Sequence, residues 1–286
     1  MTVQQIIEGI IRKTTILPLP QDRTCDHLII GRPDMEVKGI VTTFMATVEV
    51  IHQAHALGAN FIITHEPTWF TGRDDVDTAW CEGDPVYERK RALLERYGIA
   101  VWRFHDHMHM DPQDGIYRGF DRQMGWAEYR MPPLKDQDLF PKGAFDGCYE
   151  IPETTLEKLA GEVQEKLDMP VLRGIGDPKA RVTRVAVLVG GGSLGLGVEQ
   201  MPMELMHLRD IQVVLCGDIT EWTLPAYVRD AYQLGMNRGI LVLGHEKSEE
   251  PGMLHLPAWL KSVTGDIPVT PVSAGEPFTY FIREKQ

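Results

Sequence analysis

Ile99-Ala100-Val101-Trp102-Arg103-Phe104, running into His105-Asp106-His107-Met108-His109-Met110-Asp111, is the stretch on which the reading of this chain turns. Its first six residues are short, apolar and rich in β-formers, the pattern of a buried strand. The next seven hold three of the ten histidines and two carboxylates. Asp114 and Gly115 then signal a turn. The cluster is expected where a strand ends and a loop begins, the place where α/β proteins gather ligand chemistry. Two other segments repeat the pattern. Phe61-Ile62-Ile63-Thr64 runs into His65-Glu66-Pro67, and Ile240-Leu241-Val242-Leu243 runs into Gly244-His245-Glu246-Lys247-Ser248-Glu249-Glu250. Three strand ends that each deliver imidazole and carboxylate point to a metal site, read here as one with two ions.

Outward from these ends, apolar spacing predicts helices over residues 3–12, 47–57, 86–97, 154–167 and 222–234, with a further one from Pro251 to about 263. Strands are predicted over 28–30, 39–44, 60–64, 182–189, 211–215, 239–243 and 278–282. Residues 131–147, with Pro132, Pro133 and Pro141, lose periodicity and read as a connector. The expected organisation is an α/β lobe over 1–130 with the first two metal motifs, a connector and helix over 131–180, and an α/β lobe over 181–286 with the third.

Composition narrows the function. The chain has 286 residues, 43% of them hydrophobic, enough for a substantial core. A net charge of -12 with no basic patch argues against a nucleic-acid binder and against an anionic membrane surface. No apolar run approaches the roughly 20 residues of a spanning helix. Met1-Thr2-Val3-Gln4-Gln5 lacks the form of a signal peptide, so the expected location is cytoplasmic. Cys25, Cys81, Cys148 and Cys216 form no C-x-x-C pair and read as buried, inert thiols.

Imidazole with carboxylate suits zinc, manganese, iron, cobalt or nickel. Taken singly, many of these residues have ordinary readings. His107 alternates away from its neighbours, Asp111 and Asp114 read as turn residues, and Glu246 and Glu250 as solvated. His52 and His55 read as exposed on a helix. Gly190-Gly191-Gly192 follows a strand but lacks the Walker lysine, and reads as a tight turn. Asp218 would cap a helix or orient a ligand histidine. Arg73 and Arg103 could meet an anionic substrate, but read as ordinary loop and strand-end residues.

Gly58-Ala59-Asn60-Phe61-Ile62-Ile63-Thr64-His65 resembles the first metal motif of the Nif-three-like family of dinuclear-metal-centre proteins. Gly217-Asp218, Gly244-His245 and Ser248-Glu249 resemble its C-terminal motifs, and Val185 to Gly192 its strand and glycine turn. Carried over residue by residue, the resemblance makes His65 a ligand and places Glu66 where a second histidine is usual. His105 matches the next histidine, and His109 falls on the position of a ligand aspartate. A two-residue shift would match His107 and Asp111 instead. His105 and Asp106 count as possible ligands, His245 and Glu249 match directly with Glu249 as bridge, and Trp222 replaces a further histidine. The resemblance implies two α/β lobes with mixed sheets flanked by helices, metals in a cleft between them, and a homo-hexamer. Some members carry a GTP cyclohydrolase label, and metal-delivery roles are also proposed for the family. The expected function is a metal-dependent hydrolase with two divalent transition-metal ions (zinc, manganese or iron). It would act on a small polar or nucleotide-like substrate through a metal-bound hydroxide, with Glu66 or Asp106 moving a proton when not a ligand. The alternative is a non-catalytic metal-handling hexamer.

Overall fold

All but the last of the apolar runs read as strands are strands, and most are buried on both faces, as parallel sheets covered by helices require. A computed structural model describes residues 1–14, 16–74, 81, 83–140 and 145–281. In chain order the regular elements begin with α1 (Val3–Lys13), β1 (Leu28–Ile30), β2 (Ile40–Thr43), α2 (Val48–Ala56), β3 (Phe61–Thr64), α3 (Pro85–Tyr97), β4 (Ala100–Arg103), α4 (Asp106–Met110) and α5 (Gly115–Met124). They continue with β5 (Cys148–Thr155), α6 (Leu156–Leu167), β6 (Arg173–Ile175), β7 (Arg181–Leu188), α7 (Met201–Leu208), β8 (Val213–Cys216), α8 (Leu224–Gln233), β9 (Gly239–Val242), α9 (His245–Thr264) and β10 (Val269–Pro271).

The chain forms two compact units, each discontinuous in sequence. One comprises Met1–Gly119 and Gly252–Gly275, the other Phe120–Pro251 and Glu276–Gln286. The divisions differ from a simple halving. Residues 131–180, read as a connector and helix, supply β5, α6 and β6 to the second unit, and β10 returns to the first.

The first unit holds a mixed five-stranded sheet in the order β1-β4-β3-β2-β10. Its β10, β2, β3 and β4 run parallel, and β1 pairs antiparallel with β4. Every residue of β2, β3 and β4 is buried. Val50, Ile51 and Ala54 of α2 and Leu94 of α3 join Val41, Ile62 and Val101 in one core. α3 starts where Asp84 accepts from the amides of Val86 and Tyr87, with Pro85 in the first helical position, and ends at Gly98 with φ +62°.

The second unit holds a mixed five-stranded sheet in the order β5-β7-β8-β9-β6. The central β7, β8 and β9 are parallel, and both edge strands are antiparallel to their neighbours. Its core joins Ala186, Leu188, Val214, Cys216, Ile240 and Val242 with α7 and α8.

Two predicted elements differ from the structure. Residues 278–281 carry no strand, and Ile282 lies outside the described residues; the last strand is β10. The last helix starts at His245, not at Pro251. Gly244, with φ +85°, turns the chain directly from strand to helix, and its carbonyl accepts the Ser248 amide at 3.2 Å. Pro251 therefore sits inside the helix. Among the described residues no helix is long and apolar enough to cross a membrane.

Candidate metal centre

The chemistry-bearing residues follow the carboxyl ends of parallel strands, His65 after β3 and His105 after β4 in the first unit. His65 is buried, and His105 and His109 are half-buried. One ring nitrogen from each of the three can be chosen so that all lie within 4.8 Å of one another.

The hydrogen bonds assign the tautomers. His65 Nδ1 is 3.2 Å from the Phe104 carbonyl oxygen, His105 Nδ1 is 3.0 Å from Asp106 Oδ1, and His109 Nδ1 is 2.9 Å from Asp114 Oδ2. A carbonyl and two ionised carboxylates only accept, so each Nδ1 carries the proton and each Nε2 presents a lone pair. The Nε2 atoms of His65 and His109 face each other at 3.1 Å. Two lone pairs at that distance repel unless a cation or a proton lies between them. Two imidazole ligands on a tetrahedral zinc ion stand about 3.3 Å apart when each Zn–N bond is about 2.0–2.1 Å. The set therefore fits a divalent transition-metal ion. Burial holds the His105 imidazole below its ordinary pKa, against the pull of Asp106 and with the help of His65 and His109, which favours the neutral ring that ligation needs.

Asp106 stands on the Nδ1 side of His105. Its Oδ2 also accepts the Cys25 amide at 2.8 Å, and the His105 hydrogen bond, outweighing burial, holds this carboxyl well below the usual range. Glu66 shares its carboxylate between two neighbours: Oε2 accepts from Arg103 Nη2 at 3.0 Å, and Oε1 lies 3.6 Å from His105 Nε2. Arg103 is buried and also donates to the carbonyls of His65 at 3.1 Å and Gly72 at 2.7 Å. It is a brace for the ligand loop, not an open cation for substrate.

His107 is buried, and its ring is committed within the fold. Nδ1 donates to Asp26 Oδ2 at 2.7 Å and Nε2 accepts the Leu19 amide at 3.0 Å. Asp26 is the residue that sequence reasoning missed. Its Oδ1 accepts the amides of His105 and Asp106, each at 2.8 Å, and its Oδ2 accepts the His107 amide at 3.0 Å. It thus gathers the first amides of α4, which would otherwise lack partners. Asp114 is more than a turn residue. It orients His109 and also caps α5, accepting from Ile116 at 2.9 Å and Tyr117 at 3.3 Å. A carboxylate directly before a helix was the signal for that cap. Cys25, read as inert, lies beside His105 and Asp106.

In the second unit the ends of β7, β8 and β9 converge. His245 Nδ1 meets Asp218 Oδ2 at 2.8 Å, and His245 Nε2 meets Glu249 Oε2 at 3.2 Å, one helical turn on. Asp218 thus takes the orienting role open to it from the sequence. The Gly190 amide donates to Ser248 Oγ at 2.9 Å, and the Asp218 amide donates to the Gly190 carbonyl at 2.8 Å. Gly190 has φ +49°, and a Cβ there would run into Glu249 Oε1 and lie 2.8 Å from His245 Nε2. The glycine run is a tight turn beneath the His245–Glu249 pair.

Glu246 and Glu250, expected in solvent, are buried. Lys247 lies between them, 3.2 Å from Glu250 and 3.9 Å from Glu246. Burial, reinforced by Glu250, pushes Glu246 up to about 8.

The model of the DUF34/NIF3 (NGG1p interacting factor 3) family matches residues 1–274. The chain belongs to that family. A GTP cyclohydrolase 1 type 2 homolog of Clostridium acetobutylicum is 24% identical over 247 residues, covering 86% of this chain and 85% of that protein. Among solved structures, a Staphylococcus aureus protein superposes with a TM-score of 0.71 at 19% identity, covering 98% of this chain and 99% of that one. A Bacillus cereus protein related to NIF3 gives 0.69 at 14% identity with the same coverage. Membership in the DUF34/NIF3 family agrees with the resemblance carried by the three strand-end motifs.

Proposed function

We propose that this DUF34/NIF3 protein holds two divalent transition-metal ions (zinc, manganese or iron) and works as a metal-dependent hydrolase on a small polar or nucleotide-like substrate. The observation that carries the reading is the trio of His65, His105 and His109, each with Nδ1 on an oxygen, with the Nε2 atoms of His65 and His109 3.1 Å apart and one ring nitrogen of each of the three within 4.8 Å of the others. Those three imidazoles hold an ion in the first unit, with Glu66 Oε1 within reach of His105. His245 and Glu249, with Asp218 behind the imidazole, are the ligands in the second. When bound, such ions act as Lewis acids toward a carbonyl or phosphoryl oxygen and lower the pKa of water. The chain's own carboxylates do the rest. Asp106, Asp114 and Asp218 fix the imidazole tautomers, and Glu66, held by Arg103, accepts or returns a proton when it is not a ligand. The name of the Clostridium acetobutylicum relative supports a nucleotide-like substrate.

The test is elemental analysis of protein purified without added metal, beside His65→Ala and His245→Ala. Large losses of metal in both variants are expected, and full retention in both would remove the reading. Turnover of a hydrolase panel that includes GTP, lost with chelator and regained with metal, separates an enzyme from a metal-handling protein. The assembly proposed with this function is a homo-hexamer; a monomer mass by light scattering at micromolar concentration would exclude it.

A further inference from the structure

We propose that Cys25, His105 and Asp106 form a second, sulfur-containing cation position in the first unit, one that takes a thiophilic divalent ion such as zinc, cobalt or cadmium. Cys25 Sγ, a ring nitrogen of His105 and a carboxylate oxygen of Asp106 all lie within 4.8 Å of one another. This proposal rests on the metal-binding reading above only in that His105 belongs to both groups.

The fold holds these atoms together from two sides. Asp26 ties the loop that carries Cys25 to the start of α4 through the amides of His105, Asp106 and His107. Asp106 closes the loop from the other side by accepting the Cys25 amide. The residues before and after the thiol, Thr24 and Asp26, are buried, while Cys25 itself is only half-buried. A cysteine that served only to fill the core would be enclosed, as Cys81, Cys148 and Cys216 are. Its Sγ lies 3.9 Å from Asp26 Oδ1, a weak contact that an ion can replace.

The donor set defines the ligand. A thiolate, an imidazole and a carboxylate are three protein ligands with a fourth place open to solvent or substrate, a known arrangement for zinc. Sulfur selects zinc, cobalt or cadmium over manganese and magnesium, whereas a nitrogen-and-oxygen group discriminates less. On binding, the Cys25 S–H and His105 Nδ1–H bonds break, their electron pairs form the bonds to the metal, both protons go to solvent, and Asp106 Oδ1 exchanges the ring proton for the ion. His105 belongs to the sulfur group and also to the three-imidazole group. An ion arriving at Cys25 is thus one side chain away from His65 and His109, and the sulfur position serves as a point of entry for thiophilic ions.

The experiment is a cobalt titration of the full chain purified without added metal, read by absorption. The wild type is expected to show a thiolate-to-cobalt charge-transfer band in the near ultraviolet together with the visible bands of nitrogen-and-oxygen ligation. Cys25→Ser loses the charge-transfer band and about one equivalent of cobalt per chain, keeps the visible bands, and retains the wild-type circular dichroism. His109→Ala, which leaves all three sulfur-position ligands in place, keeps the charge-transfer band. Cobalt binding without that band in the wild type, or a band that survives in Cys25→Ser, would overturn the sulfur position and leave the proposed function standing. A band lost in Cys25→Ser, with metal content unaffected by His65→Ala and His245→Ala, would do the reverse. No cobalt binding at all would remove both.

Discussion

Replacing Asp26 by asparagine tests whether the strand-end histidines are placed by their own segment or by a distant carboxylate. Asp26 accepts four hydrogen bonds between 2.7 and 3.0 Å, two at each oxygen. The amide side chain would keep one acceptor oxygen and set an NH2 group against two donors. Bonds to a charged acceptor contribute about 1.5–3 kcal/mol net and neutral ones about 0.5–1.5, while each donor left buried without a partner costs about 1–3 kcal/mol. Relief of the burial of a charge offsets part of this. The expected loss is about 3 kcal/mol, and it falls on α4 before it reaches the rest of the unit. Hydrogen exchange of the peptide over residues 103–111 should accelerate about 100-fold at neutral pH, since each 1.4 kcal/mol is a factor of ten. The pH dependence gives a second check. Despite burial, the bonds from His107, His105 and Asp106 hold the Asp26 carboxyl below its ordinary value. A depressed carboxyl contributes stability that is present above the unfolded pKa, near 3.9, and is lost as pH falls through the folded value. The gap in unfolding free energy between wild type and D26N should therefore be widest near neutrality and close at lower pH. Exchange within about threefold of wild type at neutral pH, or a gap that persists unchanged into strong acid, would refute the reasoning.

Three further outcomes are expected. Asp114→Asn keeps an oxygen for the cap of α5 but removes the charge behind His109, so metal affinity should fall about tenfold or more in competition titration while thermal unfolding moves little. Gly190→Ala should weaken metal binding by a variant that retains only His245 and Glu249, and should lower unfolding stability by about 1–3 kcal/mol, because the new Cβ meets the Glu249 carboxylate at a backbone φ of +49°. Burial pulls Lys90 down from 10.5 to about 8, against the pull of Asp74. The unfolded chain then holds its proton longer, so stability rises by about 3 kcal/mol as pH climbs through that window, and Lys90→Met should abolish the rise in urea titrations.

The parts of the fold that were legible are those in which local sequence and global position agree. β2, β3, β4, β8 and β9 lie between helices, so both faces are apolar and the strands read as unbroken runs. The start of α9 was misplaced because Pro251 satisfies a first-turn rule, while the actual start depends on Gly244 adopting a positive φ, which one glycine among 27 does not advertise. Glu246 and Glu250 read as solvated because isolated charges usually are. Their burial depends on Lys247 between them and on Glu246 retaining a proton more readily than a free carboxyl.

The candidate site divides along the same physical line. His65, His105 and His245 each come within three residues of a strand end, so their place is dictated locally and a linear reading finds them. The oxygen behind each imidazole obeys no such rule. For His65 it is the Phe104 carbonyl, 39 positions away, for His245 it is Asp218, 27 positions away, and for His109 it is Asp114, only 5 away. His107 shows why this matters. It stands in the same motif and carries the same ring, yet Asp26 takes Nδ1 and the Leu19 amide takes Nε2. What separates a candidate ligand from a structural histidine here is the partner of Nε2, and that partner is set by tertiary contact. A cluster of histidines at a strand end therefore identifies the neighbourhood of an ion, while its ligands are identified only when each second nitrogen has been accounted for.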